Sequence, residues 1–237
     1  MKKQILLLGQ IGAGKTCFIN HLLGGDYIPY TITSHGYFAF VSYGEKIKYK
    51  LIDKDNEKTG SLPLVVIEEL IRNDCNKAEK EYISVEISGP FYICKNNIVL
   101  VDTPSFFEER TIASKMFYEM LNLSDIICYC INPNHGIMVS DIDFLQTICH
   151  FNSETFIITN NISVSSPRNL KLAEEFSKAV KYIRESINAK ENINVKDFFN
   201  IWYFDRDEDK LGLVDSQFHM MRNILLLSLN QSRPEIM

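Results

Sequence analysis

Apolar and polar positions along this chain fall into two rhythms. Residues 5–8, 98–101, 126–131 and 155–158 are short, almost wholly apolar runs, each leading into a segment of glycine, aspartate or asparagine. A run with no polar side predicts a strand covered on both faces, as strands of a parallel sheet are. Residues 37–43, rich in aromatic and β-branched side chains, predict another strand. Residues 82–87 alternate until Pro90 ends them, and residues 198–204 give the last strand. Residues 46–51 alternate strictly, with Lys46, Lys48 and Lys50 on one face and Ile47, Tyr49 and Leu51 on the other. A lysine-lined face predicts a solvated, charge-protected edge strand in preference to a basic strip for phosphate or lipid.

Helical spacing fills the intervals. A face built on Cys17, Phe18, Ile19, Leu22 and Leu23 is stopped by Gly24 and Gly25. Pro63 opens a helix carrying Leu64, Ile67, Leu70 and Ile71, and helical periodicity returns from Ala113. Ser140 and Asp143 have capping-box spacing ahead of Leu145 and Ile148. Ser166 caps a helix with Pro167 in its first position and apolar residues from Leu170 to Ile187 three or four apart. A final helix runs over residues 215–228. Strands alternating with helices predict an α/β fold in three layers, a mostly parallel sheet with helices on both faces and its ligand at the carboxyl ends of the strands.

The turn after the first strand carries chemistry. Gly9, Gln10, Ile11, Gly12, Ala13, Gly14, Lys15 and Thr16 fit the phosphate-loop pattern G-x-x-x-x-G-K-[ST] without a gap. Glycines let the backbone approach phosphates, the amides from Gly9 through Cys17 supply donors, and the helix N-terminus adds positive potential. Lys15 then reaches the β- and γ-phosphates, and the Thr16 hydroxyl sits on Mg²⁺. Asp102, with Thr103 and Pro104, closes the apolar run of residues 98–101. A carboxylate at that strand end, across the sheet from Lys15, is where Mg²⁺ needs a direct or outer ligand.

Composition narrows the setting. A chain of 237 residues with 46% hydrophobic content has enough material for one large folded domain. A net charge of −5 argues against broad nucleic-acid binding and against charge-driven attachment to acidic membranes. No apolar stretch reaches spanning length and none fits a signal peptide, which predicts a cytoplasmic protein without direct membrane insertion. The six cysteines form no C-x-x-C pair and the five histidines show no metal-ligand spacing, so packing is the reading for both.

Beyond the phosphate loop, four stretches resemble the GTPase domain of the dynamin superfamily, in particular its bacterial dynamin-like and mitofusin-like branch. They are residues 9–24, with Asn20 and the closing Leu-Leu-Gly; Tyr43-Gly44-Glu45; residues 82–90 leading into 98–104; and residues 124–127 followed by 140–145. The resemblance covers roughly the first two thirds of the chain. It implies a P-loop NTPase fold with extra edge strands and a helix between the first switch loop and the Asp102 strand. It also implies a switch that binds GTP or GDP and hydrolyses GTP with Mg²⁺. In that scheme Thr16 is one Mg²⁺ ligand and Thr33, with Thr31 and Ser34 as neighbours, closes over the γ-phosphate as another. Partners implied are a homodimer across the nucleotide or a stalk-bearing dynamin-like protein.

Three departures bear on activity. The family's glycine after D-T-P is Ser105, which keeps the backbone N–H that senses the γ-phosphate but loses free choice of φ. Ile11 is apolar where a glutamine could polarise the attacking water, which predicts slow hydrolysis. The base motif N/T-K-x-D is replaced by Asn160, Asn161 and Ser163, without its aspartate. Charge-assisted hydrogen bonds of that kind contribute about 1.5–3 kcal/mol each, so guanine selectivity falls unless a group such as Asp205 or Asp207 substitutes. The expectation is a single GTPase domain over residues 1–237, without a stalk, whose candidate catalytic groups are Lys15, Thr33 and Asp102. The alternatives are a nucleotide-binding pseudo-GTPase that recruits a partner with little turnover, and an ATPase or small-molecule kinase.

Overall fold

The computed structural model describes residues 2–29, 37–53, 63, 65–69, 82–104, 111–151, 154–161, 170–190, 193–202, 222–227 and 229. The chain divides into two compact units, Met1–Ile11 with Lys15–Ser124, and Gly12–Gly14 with Asp125–Met237.

The first unit holds strands β1 (Lys3–Leu8), β2 (Phe38–Tyr43), β3 (Lys48–Asp53), β4 (Tyr82–Gly89) and β5 (Ile98–Asp102), with helices α1 (Lys15–Leu23) and α2 (Thr111–Leu123). The strands lie in the order β3-β4-β2-β5-β1. β1 pairs with β5 and β2 with β4 in parallel, whereas β2 with β5 and β3 with β4 are antiparallel. All five residues of β5 are buried, as are the last four of β1, which is why both read as unbroken apolar runs. The register sets Leu7 against Asp102, so the glycine loop leaves β1 beside the carboxylate.

Details of this unit correct the sequence reading. β3 lies at the end of its strand order with Tyr49 and Leu51 buried, as expected of an edge strand, and Lys50 reaches Glu86 at 4.0 Å. It begins at Lys48, however, and Ile47 stands 47% exposed instead of sharing the apolar face. The Gly44 N–H donates to the Gly89 carbonyl at 2.7 Å, so the chain reverses over residues 44–47 and Ile47 lies in that reversal. The same pairing carries β4 to Gly89, beyond the predicted end at residue 87. A 3₁₀ turn at Tyr92–Cys94 was not legible. Asn96 and Asn97 turn the chain into β5 with φ of 60° and 63°. Residues 65–69 are helical with Ile67 buried. Asn20 ties down the chain beyond α1, donating to the Ile28 carbonyl at 2.9 Å and accepting from the Tyr27 and Ile28 N–H groups.

The second unit holds β6 (Ile126–Ile131), β7 (Glu154–Asn161) and β8 (Asp197–Trp202), ordered β6-β7-β8 and parallel throughout, with helices α3 (Val139–Ile148) and α4 (Leu170–Asn188) and helical residues 222–227. All six residues of β6 are buried. On α4, Val180, Ile183 and Ile187 are buried at the predicted spacing, while the Ser166 cap and Pro167 lie outside the described residues. β7 continues through Asn161, which pairs with Trp202, where the sequence predicts an end at residue 158. The Ser140 cap is a correction. α3 starts at Val139, and the Asp141 carboxylate accepts from the Met138 N–H at 2.8 Å. Asp141 is buried and also accepts from the Tyr129 hydroxyl, so a carboxylate inside the first turn satisfies the orphan amide in place of Ser140.

Candidate functional site

The loop turns sharply out of β1. Gly9 in the first unit has φ 143° and Gly14 in the second has φ 83°, conformations that L side chains rarely adopt, which accounts for both fixed glycines of the pattern; in the first unit the loop leads into α1. Lys15 opens α1 and is buried, and its Nζ donates to the Gly9 carbonyl at 2.9 Å and the Gln10 carbonyl at 3.1 Å. Those two acceptors offset the loss of water around the ammonium and hold its charge against the loop backbone. The first turn of α1 carries no acidic residue to neutralise its N-terminal potential.

One residue on, the Thr16 hydroxyl donates to Asp102 Oδ2 at 2.6 Å. Asp102 is fully buried, and Thr103 is fixed behind it by donating to the Leu7 carbonyl at 2.8 Å. A hydroxyl and a carboxylate oxygen this close are hard donors of the kind Mg²⁺ takes beside its waters, so the pair fits that ion. Ile11 is 53% exposed. The Gln10 Nε2 is buried, with no hydrogen-bond partner among the described residues, so its amide does not face the solvent as Ile11 does.

The second unit holds residues 12–14 of the loop. Asn160 is fully buried at the end of β7 and donates to the Ala13 carbonyl at 2.8 Å. Asn132, just past β6, donates to the Gly12 carbonyl at 3.2 Å. The register Ile131↔Thr159 puts these asparagines at matching strand ends, which is why both reach the same short piece of loop. Asn132 also organises its own turn, its Oδ1 accepting from the Asn134 N–H at 3.0 Å and its carbonyl from the His135 N–H at 3.0 Å. The imidazole of His135 lies over Gly12, with Cε1 3.5 Å and Nδ1 4.0 Å from where a Cβ would sit.

Of the residues singled out from sequence, Gly9, Gln10, Ile11, Lys15, Thr16, Cys17 and Asp102 fall together in the first unit, and Gly12, Ala13, Gly14 and Asn160 in the second. Asn160 was expected at a nucleotide base; its side-chain amide donates to the carbonyl of Ala13 in the loop. Asn161 is described through its backbone pairing alone. Thr31, Thr33, Ser34, Ser105, Ser163, Asp205 and Asp207 lie outside the described residues. Sequence reasoning missed Asn132 and His135, reading Asn132 only as part of the segment that closes the apolar run of residues 126–131. The available signal was that Asn132 ends one apolar run as Asn160 ends the next.

Comparison with known proteins supplies a frame for this geometry. Residues 5–163 match the model of the Dynamin family. An uncharacterised protein from the xynA 3′ region of Caldicellulosiruptor sp. is 23% identical over 193 residues, covering 81% of this chain and 47% of that protein. Dynamin-like protein 1 of Campylobacter jejuni is 22% identical over 222 residues, covering 78% of this chain and 30% of its own. The chain thus spans half or less of the length of these relatives. Among solved structures, a chain of an oligomerised bacterial dynamin pair, described as a mechanism for long-range sensing and tethering of membranes, superposes with TM-score 0.72 at 19% identity, over 97% of this chain and 40% of that one. Toc33 from Arabidopsis thaliana, solved as a dimerisation-deficient mutant, gives TM-score 0.52 at 14% identity, over 98% of this chain and 86% of its own. These likenesses establish a shared α/β GTPase-type fold. Among the described residues no helix is long and apolar enough to cross a membrane.

Proposed function

The chain belongs to the dynamin family, and on that premise we propose that it binds GTP with Mg²⁺ and works as a nucleotide-dependent switch or assembly unit with slow hydrolysis. The observation that carries this reading is the Thr16–Asp102 contact at 2.6 Å one residue beyond a lysine held on the loop carbonyls. Lys15 and the loop amides take the β- and γ-phosphates, and Thr16, Asp102 and Thr33 hold Mg²⁺. The ion, when bound, neutralises charge between the β- and γ-phosphates. By the family resemblance, Ser105 is assigned to sensing the γ-phosphate, and Asn160, Asn161, Ser163 and Asp205 to reading the base. Slow turnover follows from Ile11, which is exposed and apolar where a polar group could orient water. That same observation favours a second reading, a pseudo-GTPase that holds nucleotide and recruits a partner. We place the protein in the cytoplasm, acting as a homodimer or beside a stalk-bearing dynamin-like protein.

Phosphate release with GTP and with ATP, measured over a range of protein concentrations, tests the proposal. Release from GTP that rises faster than linearly with protein supports a switch completed by dimerisation. Equal turnover of ATP contradicts the GTPase assignment, and tight GTP binding with no release supports the pseudo-enzyme.

A further inference from the structure

We propose that His135 is a direct ligand of the bound nucleotide's phosphate chain, beside the loop amides of Gly12, Ala13 and Gly14 in the second unit. The proposal rests on the nucleotide-binding reading above and adds a residue to it.

Three observations converge on this histidine. Its Cε1–Nδ1 edge lies over Gly12, with Cε1 3.5 Å from the Cβ position, an ordinary van der Waals distance that sets the imidazole directly beside residue 12. Gly12 itself is exposed, with φ 73°, which leaves its backbone open beside the ring. The turn that carries the ring is also anchored. The His135 backbone N–H donates to the Asn132 carbonyl at 3.0 Å, and the Asn132 side-chain amide donates to the Gly12 carbonyl at 3.2 Å. One asparagine therefore sets both the loop tip and the turn that carries the imidazole. A loop of this kind offers its amides to phosphate, and phosphoryl transfer is accelerated by donors fixed where charge accumulates. An imidazole is such a donor in either ring tautomer and when protonated. Ile11 is an exposed hydrocarbon and cannot take this part. A packing role for His135 is the competing account, but the ring is exposed and so adds little to a core.

The test is ¹⁵N–¹H NMR of the imidazole groups of the whole chain, with and without a non-hydrolysable GTP analogue and Mg²⁺, the signal being assigned through His135→Gln. The other four histidines, His21, His35, His150 and His219, serve as internal references. The expected result is a change in the His135 ring nitrogen shifts on adding analogue, larger than with GDP, together with about a tenfold loss of kcat in His135→Ala that His135→Gln partly restores. Nucleotide that binds with normal affinity and leaves the His135 ring signals unmoved overturns the proposal while leaving the nucleotide site intact. Failure of the chain to bind any nucleotide, by calorimetry on the same sample, overturns the underlying reading and the proposal with it.

Discussion

The Thr16 hydroxyl donates to Asp102 Oδ2 at 2.6 Å, joining the first turn of α1 to the end of β5 across 86 positions of sequence. The contact exists because β1 and β5 pair in parallel with Leu7 opposite Asp102, so the loop leaving β1 brings α1 back onto the carboxylate. Asp102→Asn keeps the shape and an acceptor for Thr16 but removes the negative charge. The expected outcome is nucleotide binding that loses its Mg²⁺ dependence, with about a 10–100-fold weaker Mg²⁺ effect. Titrating Mg²⁺ against nucleotide affinity checks this. An unchanged Mg²⁺ dependence contradicts the assignment of Asp102.

Asn160 offers a test within the second unit. Its amide is fully buried and donates to the Ala13 carbonyl at 2.8 Å. Asn160→Asp removes that donor and brings an acceptor, and at neutral pH a charge, against the carbonyl. Urea unfolding should show a loss of at least about 2 kcal/mol, larger than for Asn160→Ala, because the new group is buried beside another acceptor. An aspartate variant as stable as wild type would mean that the hydrogen bond does not organise the loop.

The buried pair Tyr129–Asp141 anchors the start of α3. Asp141 accepts from the tyrosine hydroxyl through Oδ1 and from the Met138 N–H through Oδ2. Tyr129→Phe leaves the ring packing in place and removes one donor from a buried carboxylate. A loss of about 1.5–3 kcal/mol by denaturant titration is expected, the range for a hydrogen bond to a charged group. Ser140→Ala should change stability by less than about 0.5 kcal/mol, since Asp141, and not Ser140, caps the helix.

Alkaline pH should destabilise the first unit through Tyr49 and Cys94. Burial, with smaller contributions from Tyr27 and Glu68, pushes the Tyr49 phenol up to about 12 from an ordinary 10.0. Burial likewise raises the Cys94 thiol to about 12 from 9.0. In both cases the unfolded chain releases its proton first. Stability is therefore fully present below about pH 9 and is lost as pH rises toward 12. The urea midpoint should fall across that window, and less steeply in Tyr49→Phe. A variant with the same pH slope as wild type would remove Tyr49 from the account.

Sequence and structure agree most closely where a residue type answers one physical demand. Residues 98–101 and 126–131 had to be strands because unbroken apolar runs need cover on both faces, and Gly9 and Gly14 had to be glycine because of their φ. Asp102 was legible because it ends one of those runs ahead of a proline. Long-range pairing was harder to read. Nothing in residues 132–135 alone announces that Asn132 reaches Gly12 or that His135 lies over it, because these contacts join distant parts of the chain, 120 positions apart for Asn132 and Gly12. Ser140 looked like a cap by spacing, yet α3 begins one residue earlier and the burial of Asp141 decided the matter. Ile47 followed the alternation on paper and left it in space because the 44–47 reversal took precedence over the pattern.

Calorimetric titration of GTP in the presence of Mg²⁺, into the wild-type chain and into Lys15→Ala, tests the central claim most directly. Lys15 is held by two carbonyls of the loop, at 2.9 and 3.1 Å, as the counter-charge for the β- and γ-phosphates. The predicted result is saturable GTP binding by the wild type and none measurable by Lys15→Ala, with the variant still folded by circular dichroism. GTP affinity retained in Lys15→Ala, or no binding by the wild type, would contradict it.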